Sequence, residues 1–171
     1  RTKYVNSKEN LYNNINKIDQ KVIKYNYEKK NKNDDFYVSK NNAHILKIFD
    51  KWPKWEKNFL NINGEKFSGK THLINIFLKR FKGIKFESNL LNNSSLKEIK
   101  IYQNIIVENL NNSIDEKLFY SLLNIIEQDN KYLIVTSIDP IVKINLKLND
   151  LNSRCTNFLL QSIEKPDDDL I

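Results

Sequence analysis

The stretch that most constrains this chain runs from Phe59 to Leu73, Phe-Leu-Asn-Ile-Asn-Gly-Glu-Lys-Phe-Ser-Gly-Lys-Thr-His-Leu. A short apolar run (Phe59, Leu60, Ile62) is followed by Gly64, four residues, and Gly69-Lys70-Thr71; Leu73, Ile74, Phe77, Leu78 and Phe81 then recur at helical spacing. That order predicts a strand, a phosphate loop and a helix. The spacing suits polyphosphate because the N–H groups of the loop and of the helix N-terminus converge on one anion. Lys70 would add a point charge at the β- and γ-phosphates, and the Thr71 hydroxyl would face Mg²⁺. Two of only three glycines fall here, which argues against a chance turn. Many such loops carry a further glycine where this chain has Phe67. A bulky residue resists positive φ, so Phe67 is expected to fill the cradle and weaken phosphate binding.

A chain of 171 residues supports one domain with a real core. Its net charge of +7 would ordinarily point to an anionic partner, yet only Arg1, Arg80 and Arg154 are arginines. The lysines are scattered among asparagine and isoleucine, so charge alone does not indicate direct DNA binding. The single cysteine, Cys155, excludes an internal disulfide framework and fits a reducing cytoplasm. No apolar run approaches membrane-spanning length and no secretion signal follows the basic start, so no membrane partner is expected. The first residue is Arg1, which reads as a processed or incomplete chain.

Along the chain, residues 1–35 read as a polar, Asn/Lys-rich segment in which Ile23, Tyr25 and Tyr27 alternate like an extended peptide. Phe36-Tyr37-Val38 is apolar and extended, and Ala43 to Trp52 reads as a helix stopped by Pro53. After the loop unit come a short strand (Ile84–Phe86), a polar region with one short helix, and a buried strand (Asn104–Leu110). An amphipathic helix (Asp115–Gln128), a buried strand (Lys131–Ser137), a short helix (Asn149–Thr156) and a last strand (Phe158–Ile163) complete the order. Strands alternating with helices give an α/β fold, a parallel sheet with helices on both faces. Ligands of such sheets bind at strand C-terminal ends. Gly64 to Thr71, Glu108-Asn109 and Thr136-Ser137 should therefore meet at one place.

The series Phe36-Tyr-Val with Asn42, Trp52-Pro-x-Trp55, Gly69-Lys-Thr-His-Leu73, Ile105-Ile-Val-Glu-Asn-Leu110, Leu133 to Ser137, Asp150-Leu-Asn-Ser-Arg154 and Lys165-Pro-Asp-Asp168 resembles the AAA+ module of the DnaA/Hda-like family. The resemblance spans residues 20–171 and is nearest to Hda, the regulatory inactivator of the replication initiator DnaA. It implies a core over residues 36–171 that binds ATP or ADP with Mg²⁺. Phe36, Tyr37, Val38 and Asn42 then lie near the adenine, and Gly64, Gly69, Lys70 and Thr71 hold the phosphates. Thr71 and Glu108 serve the metal. Ser137, or alternatively Thr136, is the sensor, and Arg154 is an arginine offered in trans to the γ-phosphate of a neighbouring subunit, which implies an oligomer.

Two departures separate this chain from the family. Asn109 stands where a carboxylate usually orients the attacking water, so its own hydrolysis is expected to be weak or absent. The family's helical lid would begin beyond Ile171, outside this sequence. The family's short clamp-docking peptide is matched by Gln20, Ile23 and Tyr25, with Lys21 departing from the usual leucine; an extended peptide of this kind would place its apolar side chains in a groove. An ordinary edge strand is the alternative there. The resemblance thus implies a cytoplasmic regulator that binds the DNA polymerase sliding clamp and promotes hydrolysis of DnaA-bound ATP. An autonomous AAA+ ATPase or an initiator fragment is the alternative, and a DNA-binding module has least support.

Overall fold

The structure, a computed structural model, describes residues 42–163. The peptide containing Gln20, Ile23 and Tyr25, the segment Phe36-Tyr37-Val38 and the Pro166 element lie outside these residues. The order is α1 (42–51), β1 (Phe59–Asn63), α2 (Lys70–Arg80), β2 (Gly83–Glu87), α3 (Asn93–Glu98), β3 (Asn104–Leu110), α4 (Glu116–Gln128), β4 (Tyr132–Ser137), α5 (Asn149–Cys155) and β5 (Leu159–Ser162). The elements agree with the sequence expectation to within a residue or two at their ends.

The five strands form one parallel sheet in the order β2-β3-β4-β1-β5. Alternate strand residues point to opposite faces. Phe59, Ile105, Val107, Leu133 and Val135 join one buried cluster with Phe119, Leu122, Leu123 and Ile126 of α4 and with Leu151 and Cys155 of α5. Leu60, Ile62, Ile106 and Ile134 are buried outside that cluster, as are Ile45 and Phe49 of α1 and Leu73, Ile74 and Phe77 of α2. The Phe49 and Phe77 rings meet 5.0 Å apart, so α1 and α2 share the second layer. Cys155 is buried, and that burial pushes its thiol up to about 11.

Helix boundaries follow local chemistry. The Asp115 carboxylate accepts from the Leu118 N–H and caps α4, while Asn92 and Ser95 exchange side-chain and backbone bonds at the start of α3. At the strand N-terminal ends, Trp52 and Trp55 pack against Phe81, Phe77 and Tyr132, and Trp55 Nε1 donates to the Ile48 carbonyl at 2.7 Å.

Between β4 and β5, β1 carries two buried asparagines. Asn61, with 0% exposure, donates to Val135 O at 3.1 Å and to Ser137 Oγ at 2.9 Å, and its Oδ1 accepts from the Ile141 N–H at 3.0 Å. Asn63 donates to Asn61 Oδ1 and to Gln161 O and accepts from Ser162 Oγ at 2.7 Å. The pair therefore ties β1 to both neighbours, β4 and β5. Asn61→Ala should cost about 2–4 kcal/mol in urea unfolding, because buried Ser137 and Ile141 groups lose partners and cannot recruit water. A cost below about 1 kcal/mol would show that the network adds little to stability.

Candidate functional site

The sheet's strand order reverses at β1, where β4 and β5 flank it while the chain leaves for β2, and a ligand is expected over that point. The loop after β1 sits there, held by the Gly64 N–H donating to Ser137 O at 3.1 Å. Gly69 ends the loop at φ 101, a left-handed conformation that suits glycine, and the Leu73 N–H bonds back to its carbonyl at 3.1 Å. A Cβ at Gly64 would lie 2.8 Å from Ser68 Oγ and 3.2 Å from Ile163 Cβ, so a side chain there would displace the Ser68 hydroxyl.

Lys70 reaches back into this loop. Its ammonium donates to the Gly64 and Glu65 carbonyls, the latter at 2.8 Å, and burial pulls its pKa below the ordinary lysine value. Beside it, Ser68 Oγ is buried without a hydrogen-bond partner. A cation inside a ring of loop groups and an orphaned hydroxyl fit a phosphate.

Across the site, β3 delivers Glu108, which is 4% exposed. Desolvation raises its pKa, and the Glu87 charge adds to that; Lys85, 3.9 Å away, and a hydrogen bond with Thr71 work the other way. Glu108 Oε1 has no hydrogen-bond partner. A buried carboxylate with a free oxygen, next to the threonine that opens α2, fits a divalent cation. Among the described residues no group of three or more His, Cys, Asp or Glu side chains could hold a metal by itself. That suits Mg²⁺, which completes its shell with phosphate oxygens and water. Gly64, Gly69, Lys70 and Thr71 are thus the residues that would hold ATP or ADP, and Thr71 with Glu108 those that would hold the metal.

Asn109 has φ 60 and its N–H donates to Thr136 Oγ1 at 3.0 Å, within a register shift between Val107 and Leu110. Its Nδ2 donates to both carboxylate oxygens of Glu87, at 3.1 and 3.0 Å. Glu87 ends β2 directly opposite Glu108 and was not picked out in the sequence. The signal available was a second strand ending in an acid. A cleft of about 400 Å³ opens beyond the ends of β3 and β4, lined in part by Asn109, Asn111, Ile138 and Lys143.

Ser137, expected as a sensor, donates its hydroxyl to Asp139 O at 2.7 Å and accepts from Asn61, so both its functions are taken up within the fold. Thr136 is buried and receives the Asn109 N–H. Asn42, at the start of α1, is buried with Oδ1 unpartnered. Arg154 lies on α5, away from the loop; its guanidinium donates to Asn124 Oδ1 and Glu127 Oε2 and stacks over the Tyr120 ring at 5.2 Å. Its side chain is 18% exposed.

Phe67 corrects the sequence expectation. It adopts φ 64, the left-handed region expected of glycine, and is 93% exposed. The turn closed by the Ser68 N–H on Glu65 O fixes that backbone, at a cost of about 1–2 kcal/mol for a residue with a Cβ. The ring leaves the cradle open and carries the Lys66 ammonium 5.3 Å from its centroid.

No protein-family profile and no curated protein sequence matches the chain. Solved structures do share its fold. AMPPCP-bound DnaA from Aquifex aeolicus superposes with a TM-score of 0.62 at 17% identity over 73% of this chain and 47% of that one. Domain III of the Thermotoga maritima replication initiation protein DnaA gives 0.60 at 20% identity over 76% and 65%. DnaI gives 0.56 at 13% identity over 74% and 84%. The chain spans about half the length of the longer DnaA structures it matches, 47% and 49% in two of them. It has the α/β fold of these structures, and no helix among the described residues is long and apolar enough to cross a membrane.

Two outcomes follow from this geometry. Phe67→Gly should leave nucleotide affinity within about twofold, since the ring is outside the cradle; a calorimetric titration that shows a tenfold gain would restore the obstruction. The raised carboxyl of Glu108 lowers stability as pH rises through the unfolded value of 4.5, because folding then holds a buried charge. Glu108→Gln should therefore raise the melting temperature at pH 7, with the gain shrinking toward pH 4, while weakening Mg²⁺-dependent nucleotide binding.

Proposed function

We propose that this chain is a Mg²⁺-nucleotide-binding regulator of the initiation of chromosomal replication. The observation that carries the reading is the juxtaposition of Lys70 inside the loop with Thr71 hydrogen-bonded to Glu108, whose Oε1 is left without a partner. The like-folded DnaA structures hold AMPPCP in two cases, one of them together with single-stranded DNA, which supports a nucleotide at the corresponding loop. A bound Mg²⁺ would neutralise charge on the phosphates. Lys70 would exchange its loop carbonyls for phosphate oxygens, and the α2 N-terminus would face the anion.

Within that role we favour an Hda-like adaptor. Gln20, Ile23 and Tyr25 would dock on the sliding clamp, and Arg154 would act in trans on ATP held by DnaA. Arg154 is held by Glu127, an exposed carboxylate, and exposed ion pairs contribute only about 0–1 kcal/mol. A neighbouring γ-phosphate, with more charge and bidentate geometry, can draw the guanidinium away from Glu127 and Asn124. A second reading, an autonomous ATPase or an initiator ATPase fragment, is favoured by Glu87 bringing a carboxylate beside Asn109.

The test is ATP turnover by DnaA on clamp-loaded DNA, with and without the full chain. Stimulation should fall by about 10³-fold or more in Arg154→Ala and nearly as far in Arg154→Lys, which keeps charge without the fork. Glu127→Ala, which frees the guanidinium, should stimulate at least as well as the unsubstituted chain. Stimulation that survives both arginine substitutions would remove the finger. Capture on immobilised clamp that persists in Gln20→Ala/Tyr25→Ala would remove the docking peptide.

A further inference from the structure

We propose that Glu87, at the end of β2, supplies the carboxylate that Asn109 lacks, and that the chain hydrolyses its own ATP through it. This rests on the nucleotide-binding reading above. Position 109 would ordinarily be expected to carry the acid because it follows Glu108 at the end of β3, yet the neighbouring strand ends at the same level: Glu87 pairs with Glu108 in the parallel register. The left-handed backbone of Asn109 turns its amide toward that strand. Its Nδ2 then donates to one carboxylate, 3.1 and 3.0 Å from the two oxygens. The amide thus fixes the carboxylate's rotamer at the strand end, acting as a donor to its two oxygens.

Three further observations favour a role in chemistry over a surface hydrogen bond. Glu108 lies next to the pair with Oε1 buried and unpartnered, so the edge already has a group aimed at a ligand. Thr71, which opens the phosphate-loop helix, reaches Glu108, so the nucleotide end of α2 and the ends of β2 and β3 share one place. Glu87 itself is exposed, which gives water access to the carboxylate, and its partner Asn109 lines the neighbouring cleft. In the step, a water oxygen bonds to the γ-phosphorus as the bond to the β,γ-bridging oxygen breaks. The bridging oxygen leaves with ADP, the water proton passes to Glu87, and Glu87 later releases it to solvent. Asn109 is then a positioning residue, and Glu87 the proton acceptor.

The experiment uses the full chain, Mg-ATP for turnover and AMPPCP for binding by calorimetry. The unsubstituted chain should turn over ATP slowly, and Lys70→Ala should abolish it. Glu87→Gln should lower turnover by about 10²-fold or more with AMPPCP affinity within about twofold. Asn109→Asp should fail to raise turnover and should lower the melting temperature, because it sets a like charge against Glu87. The double variant Glu87→Gln/Asn109→Asp restores a donor and an acceptor with their places exchanged, and should recover the melting temperature together with part of the turnover. Turnover unchanged in Glu87→Gln, a rise in Asn109→Asp, or AMPPCP binding without turnover by the unsubstituted chain would each overturn the assignment to Glu87 while leaving the nucleotide site standing. Failure to bind AMPPCP would overturn the nucleotide reading itself, and this assignment with it.

Discussion

Two amide side chains buried in the interior strand β1 set the conditions for everything at the top of the sheet. Asn61 and Asn63 hold β1 between β4 and β5 through bonds to Val135 O, Ser137 Oγ, Gln161 O and Ser162 Oγ, and Asn61 also receives the N–H of Ile141. Apolar residues there would bury as much surface, yet they would leave those backbone groups without partners. A satisfied buried polar network specifies one register, whereas an apolar strand could slide. The phosphate loop leaves β1 one residue beyond Asn63, and its first N–H is already bonded to Ser137. The position of the loop is thus inherited from the strand register beneath it.

The two shifted charges of the site tell a common story. Lys70 is pulled toward neutrality and Glu108 is pushed toward it, each chiefly by desolvation. Each therefore lacks in the folded chain a partner of opposite sign strong enough to offset burial. One ligand carrying both a polyphosphate and a divalent cation answers both deficits at once. Such a site costs stability when empty and recovers it by mass action when filled.

Periodicity and spacing disclosed the strands, the helices and the loop because those features are written in contiguous residues: Gly64 and Gly69 at fixed distance, and the apolar run Ile105-Ile106-Val107 between polar ends. What stayed hidden depends on pairing between strands distant in sequence. Glu87 closes a five-residue strand of little hydrophobic character, and only the alignment of β2 with β3 brings it to Asn109. Ser137 ends β4 with a hydroxyl, and its bonds to Asn61 and Asp139 run across the sheet and along a loop, where no contiguous stretch of sequence discloses them. Phe67 differs for another reason: a sequence states a residue's bulk but not the direction its side chain takes, and here the ring is exposed. In a tight turn the left-handed residue faces outward, so its size is felt by the backbone and not by the cradle.

Arg154 and Cys155 are consecutive on α5, the one holding α4 through Glu127 and Asn124, the other sealed in the core below. Since the sequence contains a single thiol, alkylation of the native protein reports on one location only. A thiol raised to about 11 and shut away from solvent reacts only during excursions in which α5 lifts. The labelling half-time of Cys155 is therefore a built-in clock for that helix. It can be read with no engineered probe, with and without a neighbouring subunit present, to time how often the segment bearing the guanidinium lets go.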